Sequence, residues 1–210
     1  QLLVIYWGGY PNTYLMQLYA QHVTFWYANR WFSRWSGYVI IWLAKLRGSY
    51  IESTTDYRKW DRVMQQKPPE LSSPKPAPFL GFNPERPWIC IGVRDMAYYA
   101  FYNSPRKNTR HRCPPQKPYQ DLAYYWASRG YQVVRMGLRV SEAWPKSHPN
   151  VIDYASSPFR TDERDIQLLA HCLFVVAGDT GLYSGAAAFD RPAVVSDLFL
   201  ICNTVYSSNK

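Results

Sequence analysis

At 210 residues the chain is long enough for one sizeable core or two small ones, and its 47% hydrophobic and 19% charged residues exclude a disordered polymer. A formal net charge of +9 favours an anionic partner, whether a phosphate, a nucleic acid or an anionic lipid surface, and says nothing about fold.

The first sixty residues are crowded with aromatic side chains, many of the nine Trp and eighteen Tyr among them. Amphipathic rings suit carbohydrate faces, wet interfaces and membrane surfaces, and they suit half-buried packing equally well. Leu2 to Tyr6 (LLVIY) reads as a buried strand running into Gly8-Gly9, and Thr13 to Phe25 has apolar spacing compatible with a helix. Residues 26 to 66 lean towards helix without clear periodicity. Their most apolar stretch, Tyr38 to Ala44, is far below the ~18 residues that a membrane-spanning helix needs. Seven prolines between residues 67 and 87 forbid helix and central strand, which predicts a linker between an aromatic N-terminal part (1–66) and a more regular C-terminal part (88–210).

Beyond the linker, strand and helix patterns alternate. Trp88 to Val93 is β-rich; Tyr119 to Arg129 is helical and stops at Gly130; Tyr131 to Met136 is a strand closed by Gly137. Val151 to Tyr154 is a short strand, and Thr161, with Glu163 and Asp165 in the following turn, marks a helix start. Leu173 to Ala177 is an apolar strand, Gly178-Asp179-Thr180-Gly181 a tight turn, Leu182 to Phe189 a small-residue helix, and Pro192 to Ser196 a final strand. This order predicts an α/β fold: a parallel sheet with helices on both faces.

Residues 106 to 117 carry five Lys or Arg and no acid, which reads as a solvated loop or a phosphate-facing one. With no finger spacing, RRM-type signature or basic helix, nucleic acid is not the expected partner. The cysteines Cys90, Cys113, Cys172 and Cys202 show no zinc spacing, and Cys90 and Cys172, inside apolar runs, read as buried thiols of a reducing compartment. The expected location is therefore cytoplasmic, at most peripheral to the inner membrane. The chain begins at Gln1 with no signal peptide in view, as a fragment or a processed product would. His22, His111, His148 and His171 form no catalytic grouping.

In a parallel sheet, function sits at strand ends and in the loops after them. Those positions are Arg94 and Asp95, Arg135 to Gly137, Asp153 and Tyr154, and the GDTG turn, whose backbone amides and Thr180 hydroxyl can receive a phosphate. Neither a Walker A lysine nor a GxGxxG fingerprint is present. Asp95 is a candidate general base, or else an ion-pair partner of Arg94 or a strand-end cap.

The segments ICIGVRD, GYQVVRMG and VIDYASSPFRTDERDIQLLAHCLFVVAGDTGL resemble a family of bacterial surface-polysaccharide glycosyltransferases, whose pattern runs LHVRD, GYxVxRMG and VIDYAxSPxxSDxxDIFLxAxCxFxIGTxSGL. Order and spacing match from about Trp88 to Asp197, and PNTYLMQLYAQH echoes the family's N-terminal half. GDTGLYSGAAAFDRPAVV is similar to the donor-site helix of heptosyltransferases, and the Asp165 to Thr180 spacing is similar to that of fucosyltransferases with an HxR strand end. The resemblance implies the Rossmann-like donor domain of a B-type glycosyltransferase with a smaller or truncated N-terminal part. It further implies metal-independent transfer of a sugar from a nucleotide-sugar donor, which is substrate and not cofactor, to a glycan or lipid-linked acceptor.

Carried over by position, Arg94 holds the donor diphosphate, and Gly178, Asp179, Thr180 and Gly181 bind phosphate or ribose. Arg112 serves donor or acceptor. Asp165 contacts base or ribose, or else is a helix-start acid; Asp153 and Tyr154 line the cleft, unless Tyr154 simply packs. Gly92 stands where the family has histidine, and the helix before the first strand is shortened to the proline-rich segment. These departures keep open a second expectation, a non-catalytic domain that binds nucleotide or glycan.

Overall fold

The computed structural model describes residues 2–6, 12–21, 23–27, 39–43, 46, 71–101, 113–178 and 180–197. The chain divides into two compact units, one of Gln1–Leu71 with Tyr206–Lys210 and one of Ser72–Val205.

In the first unit, strand β1 (Leu2–Tyr6) pairs in parallel with β2 (Val23–Tyr27), and helix α1 (Thr13–Tyr19) connects them. Asn12 caps α1, its side-chain oxygen accepting from the Leu15 amide at 2.8 Å. The helix expected to run from Thr13 to Phe25 therefore ends early. The reason is the run Val23-Thr24-Phe25-Trp26-Tyr27, whose β-branched and aromatic side chains favour the pleated conformation and find a partner strand in β1.

The second unit holds five strands: β3 (Trp88–Gly92), β4 (Gln132–Met136), β5 (Val151–Ile152), β6 (Val175–Ala177) and β7 (Ala193–Val195). They form one all-parallel sheet in the order β5-β4-β3-β6-β7. Among the described residues four helices accompany them: α2 (Met96–Phe101), α3 (Lys117–Ala127), α4 (Asp162–His171) and α5 (Leu182–Ala188). The predicted alternation is observed, with two differences. Helix α2 has no counterpart in the sequence-based expectation, and the VIDY strand stops at Ile152, with Tyr154–Ser156 winding into a 3-10 turn.

Side-chain alternation along β3 builds the two faces of the core. Ile89 and Ile91 join Val133, Val176 and Ala123 of α3 on one face; Trp88 and Cys90 join Val134, Leu168, Leu169 and Ala186 on the other, under α4 and α5. Cys90 and Cys172 are fully buried free thiols, and burial first, then Cys172, pushes the Cys90 thiol well above its ordinary range. Helix α3 ends at Ala127, two residues before the expected Arg129, and the chain turns away at Gly130, whose φ of 91° only glycine adopts without strain.

Residues 71–87 of the proline-rich stretch are free of helix, as its composition requires, but residues 72–87 do more than link. Phe79 and Phe82 turn back on each other across Leu80-Gly81, stack at 5.0 Å, and bury against Trp88 and Tyr154. Gln132 of β4 pins the segment by accepting from the Asn83 amide at 2.7 Å and donating to the Asn83 carbonyl at 2.8 Å. Two buried rings, each worth about 1.5–3 kcal/mol, outweigh the lack of regular structure.

Candidate functional site

Strand order 5-4-3-6-7 places a topological switch point between β3 and β6, because the connections from these neighbours leave in opposite directions. The Gly178 amide donates to the Gly92 carbonyl at 3.0 Å, so the loops bearing Arg94 and the GDTG turn start side by side. The sequence-predicted stretches PWICIGVRD and GDTG, whose nearest ends, Asp95 and Gly178, are 83 positions apart, thus meet at the switch point.

Arg94 is half-buried there, its Nη1 donating to the hydroxyl of Tyr99 on α2 and its guanidinium carbon 5.7 Å from the centre of that ring. Tyr99 went unnoticed in the sequence because α2 itself carries no marked start or stop signal. The Thr180 hydroxyl accepts from the Leu182 amide at 3.3 Å, and Gly181, the N-cap of α5, is exposed beside it. Gly92 has a packing reason: a Cβ at this position would stand 2.2 Å from Leu182 Cδ2. The volume that an imidazole would need is filled by the leucine following GDTG. Arg112 and Asp179 lie outside the described residues.

Asp95 is buried, and its carboxylate accepts from the Ala97 amide at 2.8 Å, the Ser141 amide at 3.0 Å and the Ser141 hydroxyl at 2.9 Å. Of the alternatives weighed for it, this geometry is that of a strand-end cap, which also ties the loop after β4 to the loop after β3. Arg135, 3% exposed, forms an ion pair with Asp153 at 3.2 Å, donates to the Glu142 carbonyl at 2.8 Å and lies 4.8 Å from the Trp144 ring centre. Asp153 also accepts from the Trp144 amide at 2.7 Å and the Ser156 hydroxyl at 2.6 Å. The arginine of RMG and the aspartate of VIDYA are thus each other's partners, and Asp153 is committed to the loop and not to an open cleft.

Tyr154 is fully buried, exchanging hydrogen bonds with the backbone of Thr161 and packing on Phe79; the packing alternative describes it. Burial, then the charge of Asp165, holds its phenol far above the ordinary range. Asp165 on α4 accepts from Arg160 Nη2 at 2.6 Å, and Arg160 also reaches Asp162 at 3.4 Å. Burial pushes the Asp165 carboxyl up to about 6, with Arg160 opposing.

A polar cavity of about 370 Å³ opens at the carboxyl ends of β4 and β5, lined by residues 138–143, Ala155–Ser157 and Arg160. Asp165 stands behind Arg160, its partner on the wall of this cavity. On the other side of the switch point, Tyr119 of α3 holds Ser196 at 2.6 Å and also bonds Asp197, while its hydroxyl would lie 3.8 Å from a Cβ on Gly178. Burial first, then Asp197, pushes the Tyr119 phenol up to about 12. Neither Arg139, Arg160 nor the Tyr119 cluster carries a motif that would have singled it out in the sequence. Among the described residues no group of three His, Cys, Asp or Glu is placed to hold a metal ion.

No protein-family model and no curated protein matches the chain. Among solved structures it is similar to two of the heptosyltransferase TibC. One is the dodecameric iron-containing enzyme in complex with ADP-D-beta-D-heptose, at a TM-score of 0.35 and 17% identity. The other is the bacterial iron-containing dodecameric glycosyltransferase TibC from enterotoxigenic E. coli H10407, at a TM-score of 0.35 and 18% identity. Both matches cover 60% of this chain and 30% of the TibC chain, a likeness too slight to carry any inference about function. What the chain's own geometry establishes is an α/β unit with a five-stranded parallel sheet whose switch point lies between β3 and β6.

Proposed function

We propose that the second unit is the nucleotide-sugar domain of a B-type glycosyltransferase, with Arg94 as the anchor of the donor diphosphate. The observation that carries this reading is the meeting of the Arg94 loop and the Gly178–Gly181 turn at the switch point of a parallel sheet, where α/β folds bind their ligands. Transfer breaks the bond between the anomeric carbon and the β-phosphate oxygen, leaving a nucleoside diphosphate. The charge that develops on that oxygen is stabilised by a guanidinium that can bond it through two N–H groups. Tyr99 orients the arginine, and Asp95 acts as a positioning residue by bracing the loops on either side. The acceptor in this reading is a glycan or lipid-linked glycan whose hydroxyl attacks the anomeric carbon.

Isothermal titration of the chain with ADP, GDP, UDP and CMP tests the proposal. At least one nucleotide should bind, and Arg94→Ala should weaken it about tenfold to a hundredfold, the loss of one charge-assisted hydrogen-bonding group. Absence of binding, or affinity indifferent to Arg94, overturns it.

A second reading, a binding domain without transferase activity, is favoured by one feature: Leu182 occupies the space beside Gly92 where the resembling family carries an imidazole. Nucleotide binding with no sugar released from matching nucleotide-sugars, in the presence of any acceptor pool, would select it.

A further inference from the structure

The polar cavity of about 370 Å³ at the carboxyl ends of β4 and β5 has no part in the nucleotide reading, and its walls come wholly from the second unit. That volume lies at the lower end of the ~300–1,000 Å³ of small-molecule sites. Hydrogen bonds already made in its walls set its chemistry. The Ser141 hydroxyl donates to Asp95 at 2.9 Å, the Ser156 hydroxyl to Asp153 at 2.6 Å and the Ser157 hydroxyl to the Tyr154 carbonyl at 2.8 Å. A hydroxyl has a single proton, so towards a ligand each of these serines can only accept. Arg139 and Arg160 can only donate. Arg160 spends Nη2 on Asp162 and Asp165, and its Nε is buried with no hydrogen-bond partner among the described residues. Acceptors at residues 141, 156 and 157 thus share one small space with donors at residues 139 and 160.

This combination selects the ligand. An oxyanion can only accept, so it would leave the serine oxygens unanswered, and it would meet the carboxylates of Glu142, Asp162 and Asp165 around the two guanidiniums. A flat heteroaromatic base needs a stacking face, and none of the lining residues is aromatic. A neutral sugar carries several hydroxyls, each able to donate to a serine and to accept from an arginine, and it brings no net charge.

We infer that this cavity binds a neutral sugar unit. The inference goes beyond the nucleotide reading and stands without it. The Ser141 amide also donates to Asp95 at 3.0 Å, which ties the cavity wall to the residue after Arg94. If a nucleotide-sugar is held at Arg94, the sugar unit bound here belongs either to that donor or to the acceptor glycan.

Isothermal titration of the whole chain with glucose, galactose, mannose, rhamnose and N-acetylglucosamine, in the absence of nucleotide, is the test. At least one should bind with a dissociation constant on the order of 1 mM, and more tightly than inorganic phosphate does. Ala143→Phe, which adds a ring to the cavity from an exposed position, should weaken that sugar about tenfold or more. The melting temperature and the affinity for any nucleotide should stay as they were, so the sugar site and the nucleotide site hold or fail separately. Should that chain fail to fold, Ser157→Ala removes one acceptor and should weaken the sugar about threefold to tenfold. Competition identifies the source: displacement by a nucleotide-sugar carrying the same sugar, but not by its nucleoside diphosphate, assigns the donor's sugar, and displacement by neither assigns the acceptor's. Binding of none of the five sugars, binding undiminished by the substitutions, displacement by the nucleoside diphosphate alone, or tighter binding of phosphate than of any sugar overturns the inference.

Discussion

The missing Cβ at Gly92 lets Leu182 lie across the end of β3, and single-residue chemistry of this kind decides what space is left at the switch point. Gly92→His should cost about 1–3 kcal/mol through overpacking, and Leu182→Ala in the same chain should restore most of it. Urea unfolding of both single variants and the pair measures the coupling; strictly additive effects would show that the two side chains do not compete for this volume. Tyr99 allows a matching test of ligand chemistry, since Tyr99→Phe keeps the ring but removes the acceptor for Arg94 Nη1. Affinity for the nucleoside diphosphate should fall about threefold to tenfold, with no further loss when Arg94 is already Ala. Asp165 connects a residue to pH. Its carboxyl titrates at about 6 in the folded chain against an ordinary 3.8, so between these values the folded state retains a proton that the unfolded state has released. Stability from this group is then lost as pH rises from about 4 to about 6 and is level above. Relative to Asp165→Asn, the native chain should lose on the order of 2–3 kcal/mol between pH 4 and pH 7, read by chemical denaturation at both.

At the scale of elements, the loops after β3, β4 and β5 are held by a few polar links. Arg135 and Asp153 are nearly buried partners at 3.2 Å, so removing one leaves the other charged and poorly compensated. Arg135→Met should destabilise the unit by about 3–5 kcal/mol, and Arg135→Lys should recover only part of it, because an ammonium can stand in for Nη1, which reaches both Asp153 and the Glu142 carbonyl, but not at the same time for Nη2, which reaches Gln116 at 3.5 Å. Thermal unfolding of the two variants decides it; a loss below about 1 kcal/mol would mean that water replaces the pair. The elements themselves were largely legible: the Thr161 cap, with its hydroxyl 3.0 Å from the Arg164 amide, the Gly130 stop and the alternation of β4 and α4 all stand where short-range pattern put them. Helix α2 was not legible, because MAYYAF lacks both periodic length and a marked stop. The early end of α1 was hidden too, since Val23 to Tyr27 becomes a strand only with β1 beside it.

The molecule as a whole consists of two units, and the second, Ser72–Val205, has apolar clusters on both faces of its own sheet. A chain trimmed to these residues should unfold cooperatively and bind nucleotide with the affinity of the full chain; a trimmed chain that fails to melt as a unit would show that the core depends on the aromatic N-terminal part. By itself the sequence determined the α/β class, the position of most strands and helices, and the candidacy of Arg94 and the GDTG turn, since periodicity, caps and glycine stops act over a few residues. Only the tertiary structure decided that the Arg94 loop and Gly178 start side by side, that Asp95 braces Ser141 46 residues away, that Asp153 belongs to Arg135, and that Tyr154 is sealed inside. Which polar group finds which partner depends on strand order and on the neighbours that burial leaves it, and these arise from contacts between distant parts of the chain.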